Sequence, residues 1–534
     1  MNKYLLYTAL LSLFTLSATA QFRINNRDDS PLRKLQYAEM CINNLYVDSV
    51  DEQKLVEDAI RGMLDKLDPH SSYSTPKEVK ELNEPLNGTF EGIGVQFNMM
   101  QDTLMVIQPV TNGPSEKVGI IAGDRIVSVN DTAIAGVKMS KEEIMKRLRG
   151  PKGTKVNLGV IRSGIKDRLN FTVVRDKIPV RSVDATYMIR PGIGYIRIGN
   201  FGAQTHDEFV ESLEKLRSEG MINLILDLQE NGGGYLKAAV DIADEFLQQN
   251  DMIVYTEGRT VQRSEYRAHG GGRFTEGKVV VLVDGYTASA AEIVTGAIQD
   301  QDRGLVVGRR TFGKGLVQQQ YALPDGSEIR LTVARYHTPS GRVVQSPYER
   351  GHRDEYYQEI QARYDRGESF SLDSISLPDS LKYQTLKLGR TVYGGGGILP
   401  DVFIPYDTTG INRYFMRAVS SGRLSEFSYE YADKHRSELA AEDFAAFEEK
   451  WKKLEAGIFA EMVEFFAERG LKAESEEELA ECAPLLKIRL EALLARSALG
   501  STAYWQVINR YDDPAFQEAM RIVKEWNGAF PALP

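Results

Sequence analysis

The chain has 534 residues, of which 42% are hydrophobic and 26% are charged. This composition is typical of folded globular proteins, and the length exceeds what one hydrophobic core supports, so we expect about three or four domains. The formal net charge of −10 at pH 7 argues against a nucleic-acid-binding protein, which needs a basic surface to neutralise phosphates.

The N-terminus has the layout of a cleaved secretory signal. A lysine at position 3 precedes an apolar run over residues 4–16, and Ala-Thr-Ala follows at residues 18–20. A retained membrane anchor is the alternative, but the apolar run is shorter than the ~20 residues that a helix needs to cross a bilayer. We therefore predict a signal peptide over residues 1–20 and an exported protein, which is periplasmic or extracellular after cleavage.

Residues 21–82 are predicted to form an N-terminal helical region. Apolar side chains recur there at spacings of three and four, which is the pattern of two helices that each bury one face. These side chains are Leu35, Ala38, Ile42 and Leu45 in the first helix and Val56, Ile60, Met63 and Leu67 in the second. We expect the two helices to pair. The cysteines, Cys41 and Cys482, both lie in apolar helical patterns, which favours buried thiols over a disulfide.

Residues 83–175 consist of short strands punctuated by glycine, with one helical segment, KMSKEEIMKRLRG. The region resembles a PDZ domain, because Gly92-Ile93-Gly94-Val95 opens a strand and PSEKVGIIAGDRIVSVNDTAI follows it. The resemblance implies that backbone N–H groups of the turn at residues 92–95 face a terminal carboxylate, and that a protein tail adds as a strand beside residues 94–97. A small sheet whose glycines only make turns is the alternative.

Residues 176–410 alternate strands and helices, which is the pattern of an α/β domain. Several strands are apolar throughout, as strands buried between helical layers are. The predicted strands are GIGYIRIG, NLILDLQ, KVVVLVDG, RGLVVG and GLVQQQYAL, and the predicted helices are THDEFVESLEKLRSEG, YLKAAVDIADEFLQ and SAAEIVTGAIQD. Residues 347–387 are charged, rich in tyrosine and without a strong period, so we interpret them as an insertion. LKLGRTVYGGGGILPDVFIP then indicates a return to the core.

Residues 411–534 are predicted to form a C-terminal helical domain. One helix carries an apolar stripe, and Gly470 is placed to end that helix. The stripe consists of Phe444, Phe447, Trp451, Leu454, Ile458, Met462 and Phe465. Such a stripe is far more often an intramolecular core or a subunit interface than a ligand site. We therefore expect either packing within the chain or a homo-oligomer through these helices.

Ser289 falls where the helix after KVVVLVDG begins. A serine at a helix start is commonly a cap, but its hydroxyl also lies beside unpaired backbone N–H groups, and the Ala290 N–H is placed to receive oxyanion charge. A nucleophilic serine needs a base. His206, His269 and His337 are scattered through the α/β region without a triad signature, and neither a G-x-S-x-G turn nor a metal-binding spacing is present.

Lys314 is the remaining candidate for the base. A lysine acts as a base only when it is neutral, so its pKa has to fall from about 10.4, and burial among apolar groups lowers it. Gly313 and Gly315 let the backbone approach closely. In an extended segment residues 314, 316 and 318 point to one side, so the uncharged Gln318 can orient the amine by hydrogen bonding. A surface lysine is the alternative.

These segments resemble the carboxy-terminal processing peptidases, or tail-specific proteases, which are serine-lysine peptidases. GYTASAAEI and TFGKGLVQ carry the resemblance, as do RGMLDKLDPHSSY, LILDLQENGGG and LTVARYHTPSGR, so that it covers most of the chain from about residue 56 to residue 405. It implies a multidomain α/β protein with an N-terminal helical segment, a PDZ domain, a crotonase-like serine protease core and a C-terminal helical domain. It also implies Ser289 as nucleophile, Lys314 as base and Gln318 as its partner.

One departure from the family lies in the loop at residues 227–234. The family commonly has D-L-R-x-N-x-G-G, whereas this chain has Gln229 in place of the arginine and keeps Asn231, Gly233 and Gly234. We expect one of the glycine amides to complete an oxyanion hole with Ala290. A plain strand-to-helix turn is compatible with this role, and a phosphate loop is disfavoured because no G-K-[ST] follows.

The resemblance implies an exported serine endopeptidase that cleaves proteins with accessible apolar carboxyl-terminal tails, which the PDZ domain captures. It implies no metal and no organic cofactor. Two other functions stay open on the sequence: a secreted PDZ adaptor with an inert α/β scaffold, and a Ser-His esterase that uses one of the scattered histidines. The presence of Ser289, Lys314 and Gln318 together argues against the adaptor.

Overall fold

The computed structural model describes residues 30–100 and 102–526. The predicted signal peptide over residues 1–20 therefore lies outside the described residues. The chain divides into two compact units, Met1–Leu67 and Asp68–Pro534. Within the described ranges, none of the helices combines the length and the apolar character that crossing a bilayer requires.

The first unit contains helices α1, Pro31–Leu45, and α2, Glu52–Leu64. The Asp51 carboxylate caps α2 by accepting from the Lys54 N–H at 3.1 Å. Both predicted helices are confirmed, but the apolar stripe of α1 is not buried in the chain, since Leu35 is 44% exposed and Leu45 is 78% exposed. The periodicity thus identified the helix correctly without identifying a core.

The second unit begins with strand β1, Ser72–Ser74, helix α3, Pro76–Leu86, and strand β2, Thr89–Gly92. A five-membered antiparallel path β3-β4-β5-β7-β8 follows, with β6 paired to β5. Its strands are β3 Val95–Met100, β4 Thr103–Pro109, β5 Arg125–Val129, β6 Thr132–Ala133, β7 Lys155–Ile161 and β8 Leu169–Val174. Its helices are α4, Pro114–Lys117, and α5, Lys141–Leu148. Strand β9, Asp176–Pro179, pairs with β2.

A mixed six-stranded sheet, ordered β10-β11-β12-β15-β16-β21, forms the centre of the α/β region. Only β10 runs antiparallel to its neighbour. The strands are β10 Val183–Arg190, β11 Ile193–Ile198, β12 Asn223–Asp227, β15 Val279–Val283, β16 Leu305–Gly308 and β21 Val402–Phe403. The helices α6 Thr205–Ser218, α7 Leu236–Asp244 and α8 Ala290–Asp300 cover one face. The pairing of β21 with β16 confirms the predicted return to the core.

A second sheet, ordered β1-β18-β13-β14 with β17 added to β18, packs through β13 against α7 and α8. Its remaining strands are β13 Met252–Glu257, β14 Ser264–Arg267, β17 Leu316–Ala322 and β18 Glu328–His337. The prediction of β17 as a strand is confirmed, and most of β17 is exposed.

The predicted insertion contains a helix that the sequence pattern missed, α9, Arg353–Asp365. Tyr356, Ile360 and Tyr364 recur at spacings of four, but Arg353 and Arg363 lie on the same side of the helix, so the sequence shows no clean apolar stripe. Two single turns of 3₁₀-helix, Leu372–Ser374 and Asp379–Leu381, and the paired strands β19, Lys382–Gln384, and β20, Thr391–Tyr393, follow.

The C-terminal region is helical, as predicted. Its helices are α10 Arg413–Ser420, α11 Arg423–Lys434, α12 Arg436–Leu439, α13 Phe444–Glu468, α14 Glu476–Leu499, α15 Ser501–Tyr511 and α16 Pro514–Glu525. The apolar stripe of α13 is used within the chain, since Phe447, Trp451 and Ile458 are buried against neighbouring helices. Gly470, at φ +77°, follows the end of α13 as predicted.

Candidate active site

Ser289 lies between β15 and α8 in a backbone conformation that serine rarely adopts. Its φ is +56° and its ψ is −115°, whereas an ordinary capping residue has an extended conformation. Backbone strain of this kind costs about 1–3 kcal/mol and is concentrated at functional sites. The conformation places Ser289, which is half-buried, directly before the N-terminus of α8.

Lys314 lies between two glycines just before β17. Its Nζ donates to Gln318 Oε1 at 3.1 Å, and Gln318 Nε2 donates to the carbonyl of His70 at 2.6 Å. The predicted contact between the two side chains is therefore present, although β17 shifts register between Val317 and Gln318. Burial lowers the pKa of Lys314, and the nearby Arg330 lowers it further, whereas the carboxylate of Glu292 raises it. Both effects favour a neutral amine.

One cavity of about 560 Å³ brings together the residues that the sequence singled out for the protease site. Its lining includes Ser289, Ala290, Gly232, Gly233, Gly234, Lys314, Gln318 and Arg330. A serine hydroxyl, a buried amine and a glycine turn at a helix N-terminus form the set that acyl transfer needs.

The glycine turn lies directly against the nucleophile segment. A Cβ at Gly233, which has φ +95°, would be 2.7 Å from both the carbonyl oxygen of Ala288 and the Cβ of Ser289, so only glycine fits. The Gly233 N–H donates to Asn231 Oδ1 at 2.8 Å, and Asn231 Nδ2 donates to the Ile198 carbonyl at 2.8 Å. The Asn231 side chain therefore links the glycine turn to the end of β11.

Glu292 is a functional candidate that the sequence reasoning missed. Its side chain is fully buried, and its two oxygens accept from the N–H groups of Ser289, Gly313 and Lys314 at 2.8, 2.8 and 2.9 Å and from the Thr311 hydroxyl at 2.5 Å. Burial raises the pKa of Glu292 to about 7, against these four donors, which lower it. One carboxylate thus fixes the backbones of both Ser289 and Lys314. The S-x-x-E spacing from Ser289 to Glu292 is the signal that could have identified it.

Tyr336 and His70 complete the surroundings of the base. The buried Tyr336 hydroxyl is 2.7 Å from the Lys314 carbonyl and 3.2 Å from the Ser289 carbonyl. The ring Nε2 of His70 is 3.2 Å from the Tyr356 hydroxyl of α9, and burial lowers the pKa of His70 to about 4, which keeps this ring neutral at pH 7. The His70 ring therefore adds no positive charge beside Lys314.

The predicted tail-binding turn lies at the open edge of the antiparallel sheet. Strand β3 pairs only with β4 on the path β3-β4-β5-β7-β8, so its other edge can accept an added strand. Gly94, at φ +71°, precedes β3, and a Cβ there would meet the Ile178 side chain at 2.9 Å. The Ile93 carbonyl accepts from the Ser115 N–H at 3.1 Å, which ties the turn to α4.

The three histidines considered for an esterase lie away from Ser289. His206 Nε2 is 2.9 Å from Glu245, His269 Nδ1 is 2.9 Å from Asp244, and the ring of His337 stacks on Tyr255 with centroids 4.5 Å apart. The lining of the Ser289 cavity includes none of them. The esterase hypothesis therefore has no support from this geometry.

Four segments of the chain match models of known protein families. Residues 192–348 match peptidase family S41, residues 92–178 match the PDZ domain, residues 13–77 match the N-terminal domain described for the activating protease CtpB, and residues 414–500 match a family of unknown function.

Curated relatives align over more than half of the chain. A carboxy-terminal-processing protease of Bartonella bacilliformis is 36% identical, covering 57% of this chain and 70% of its own length. The carboxy-terminal processing protease CtpB of Bacillus subtilis is 34% identical, covering 61% of this chain and 68% of its own length. Among solved structures, a photosystem II D1 C-terminal processing protease is 30% identical over 59% of this chain and 84% of its own, with a TM-score of 0.34.

Proposed function

Because this chain belongs to the carboxy-terminal processing proteases of peptidase family S41 and is a serine peptidase with a PDZ domain, we propose that Ser289 is its nucleophile and Lys314 its general base. The observation that carries the proposal is the shared cavity, in which Ser289 and the half-buried Lys314 lie together with Gln318. The same geometry disfavours the inert adaptor, since a scaffold has no use for a buried lysine beside a strained serine.

The reaction follows from the charges of these groups. The Ser289 oxygen attacks the carbonyl carbon of the scissile peptide while neutral Lys314 takes the hydroxyl proton. The tetrahedral intermediate collapses, the ammonium of Lys314 gives its proton to the leaving amine, and an acyl-enzyme remains. Water then attacks the ester while Lys314 takes its proton, and the ammonium returns this proton to the Ser289 oxygen as the bond from that oxygen to the acyl carbon breaks. Gln318 orients the amine without adding charge.

The oxyanion that forms in both steps needs two donors. We propose the Ala290 N–H at the start of α8 and a glycine amide of the turn at residues 232–234. The Gly233 N–H donates to the Asn231 side chain. Of the two predicted glycines, Gly234 is therefore the one whose N–H does not bond to Asn231. The positive end of the α8 dipole adds to the stabilisation.

We further propose that the substrates are proteins with exposed apolar carboxyl-terminal tails. The open edge of β3 supports this, because a tail can add there as a strand while its carboxylate meets the backbone N–H groups of Gly92-Ile93-Gly94-Val95. Export to the periplasm or the extracellular space is proposed from the N-terminal sequence, and homo-oligomerisation through the C-terminal helices stays a prediction. The domain boundaries at residues 82, 175 and 410 also stay predictions.

Mass spectrometry of fragments from a tailed model protein tests the assignment. Ser289→Ala and Lys314→Ala should each reduce turnover by roughly a million-fold while binding of the tail to the PDZ domain is retained. Lys472→Ala, which removes an exposed lysine in the C-terminal region, should cleave like the native protein. Undiminished cleavage by Lys314→Ala would exclude the serine-lysine site.

A further inference from the structure

The C-terminal helices supply one of the layers of the protease core. One face of the central sheet packs on α6, α7 and α8, and the opposite face packs on α16. Residues of α16 that lie against the sheet are Ala515, Phe516, Ala519, Met520, Ile522 and Val523. The region that matches a family of unknown function is therefore followed directly by helices that the protease sheet needs for its burial.

Asp513 connects these helices to the glycine turn. Its Oδ1 caps α16 by accepting from the N–H groups of Ala515 and Phe516 at 3.0 and 3.1 Å. Its Oδ2 accepts from Gln229 Nε2 at 2.7 Å. One carboxylate oxygen thus caps α16, and the other binds the loop at residues 227–234.

Gln229 is held at its side-chain nitrogen and at both of its backbone polar groups. Its N–H donates to Asp227 Oδ1 at 2.8 Å, and its carbonyl accepts from Arg197 Nη2 at 2.9 Å. Arg197 also pairs with Asp227 Oδ2 at 2.6 Å, and its guanidinium lies 3.8 Å from the ring centroid of Trp505 in α15. Both the side chain and the backbone of Gln229 are therefore held by contacts that depend on α15 and α16.

We infer that Asp513 is a positioning residue for catalysis, because it holds Gln229 and through Gln229 the loop whose glycine amides stabilise the oxyanion. The inference rests on the oxyanion site proposed above. Gln229 stands four residues before Gly233 at the position where the family pattern carries arginine. The C-terminal helical region therefore contributes to the chemical step, in addition to covering the sheet.

Three substitutions separate positioning from stability. Asp513→Ser keeps a good helix cap but is too short to reach Gln229. Asp513→Asn keeps the cap, and its amide can still bond to Gln229 after the Gln229 side chain rotates by half a turn. Gln229→Ala removes the same contact from the other side and leaves α16 intact.

The measurements are kcat and KM for an internally quenched peptide with an apolar three-residue carboxyl terminus, together with thermal unfolding of the full chain. Asp513→Ser and Gln229→Ala should each lower kcat by roughly 10- to 100-fold with KM nearly unchanged. Asp513→Asn should retain kcat, and the double variant Gln229→Ala/Asp513→Ser should lose no more than either single variant.

Two results would overturn the inference: a native kcat in Gln229→Ala, or additive losses in the double variant. If Asp513→Ser does not fold, Gln229→Ala decides the matter alone. Ser289→Ala is measured in parallel. Turnover that survives in Ser289→Ala overturns the proposed serine-lysine site, whereas loss there with native kcat in Gln229→Ala overturns only the role of Asp513.

Discussion

The nucleophile-base stretch at residues 285–318 and the loop at residues 227–234 line the same cavity, but they are held by different means. Glu292, three residues after Ser289, fixes the first from within the same stretch. Asp513, 284 positions away from Gln229, fixes the second. The proposed nucleophile and base are thus held by a contact within one stretch, whereas the proposed oxyanion loop is held by a contact to the C-terminal helices.

The largest loss of kcat should come from removing the Glu292 carboxylate, which holds the stretch at residues 285–318. Glu292→Gln places an NH₂ group against two hydrogen-bond donors, whichever oxygen it replaces. We expect kcat to fall about 1,000-fold, because the nucleophile and base segments both move, and the free energy of unfolding to fall by about 3 kcal/mol, because buried donors lose their acceptor. Turnover and urea denaturation measure the two effects.

Glu276→Gln is the matched control, since this glutamate is exposed. Native turnover in Glu292→Gln would mean that the stretch keeps its geometry without the carboxylate, and the contrast between local and remote support would disappear.

The second-largest loss of kcat should come from a substitution in the glycine turn at residues 232–234. Gly233→Ala forces a Cβ against the Ala288 carbonyl and the Ser289 Cβ, each at 2.7 Å, in a backbone with φ +95°. Displacement of the turn should cost about 100-fold in kcat, as loss of an oxyanion donor does. Gly232→Ala is the control within the same turn, because a Cβ there meets nothing within 4 Å. Equal activity of the two variants in a peptide assay would contradict the role of the turn.

The local stretch could be predicted and the remote support could not, for physical reasons. Ser289 and Lys314 could be proposed because the local segments GYTASAAEI and TFGKGLVQ carry the family resemblance, and several strands of the central sheet are apolar throughout. In the sequence, Asp513 looks like any helix cap. Only the packing of α16 on the sheet shows that its second carboxylate oxygen accepts from Gln229. Helix α9 was not predicted because Arg353 and Arg363 interrupt the face that carries its tyrosines and Ile360.

The charge balance at the base should have a smaller effect. Gln318→Glu places a carboxylate beside Lys314 Nζ, where Gln318 Oε1 is 3.1 Å away, and so raises the pKa of Lys314 by about one unit. Activity requires the neutral amine, so the rising limb of kcat/KM against pH should move to higher pH. At pH 7 the loss is about tenfold for each unit. Gln318→Met removes the hydrogen bonds without adding charge, so the rising limb of its kcat/KM profile should stay at the same pH as in the native protein.

The same lysine makes stability depend on pH. Its pKa in the folded chain is below the ordinary value of 10.5, so between these two values the unfolded chain binds more protons than the folded one. The free energy of unfolding should therefore rise with pH in this window. Lys314→Met should flatten the rise in urea denaturation series, and an unchanged slope would contradict the burial of the amine.

The smallest effect tests whether the local stretch is fully independent of remote support. The Tyr356 hydroxyl of α9 is 3.2 Å from the His70 ring and 3.4 Å from Gln345 Nε2, and Gln345 Oε1 accepts from the N–H of Gly315 beside Lys314. Tyr356→Phe should cost about 1 kcal/mol in unfolding free energy and change kcat by no more than a few-fold. Tyr364→Phe, on an exposed ring of α9, is the control. A loss as large as that of Gln229→Ala would show that Lys314 also relies on a distant segment, because Glu292 alone would then be insufficient to fix the base.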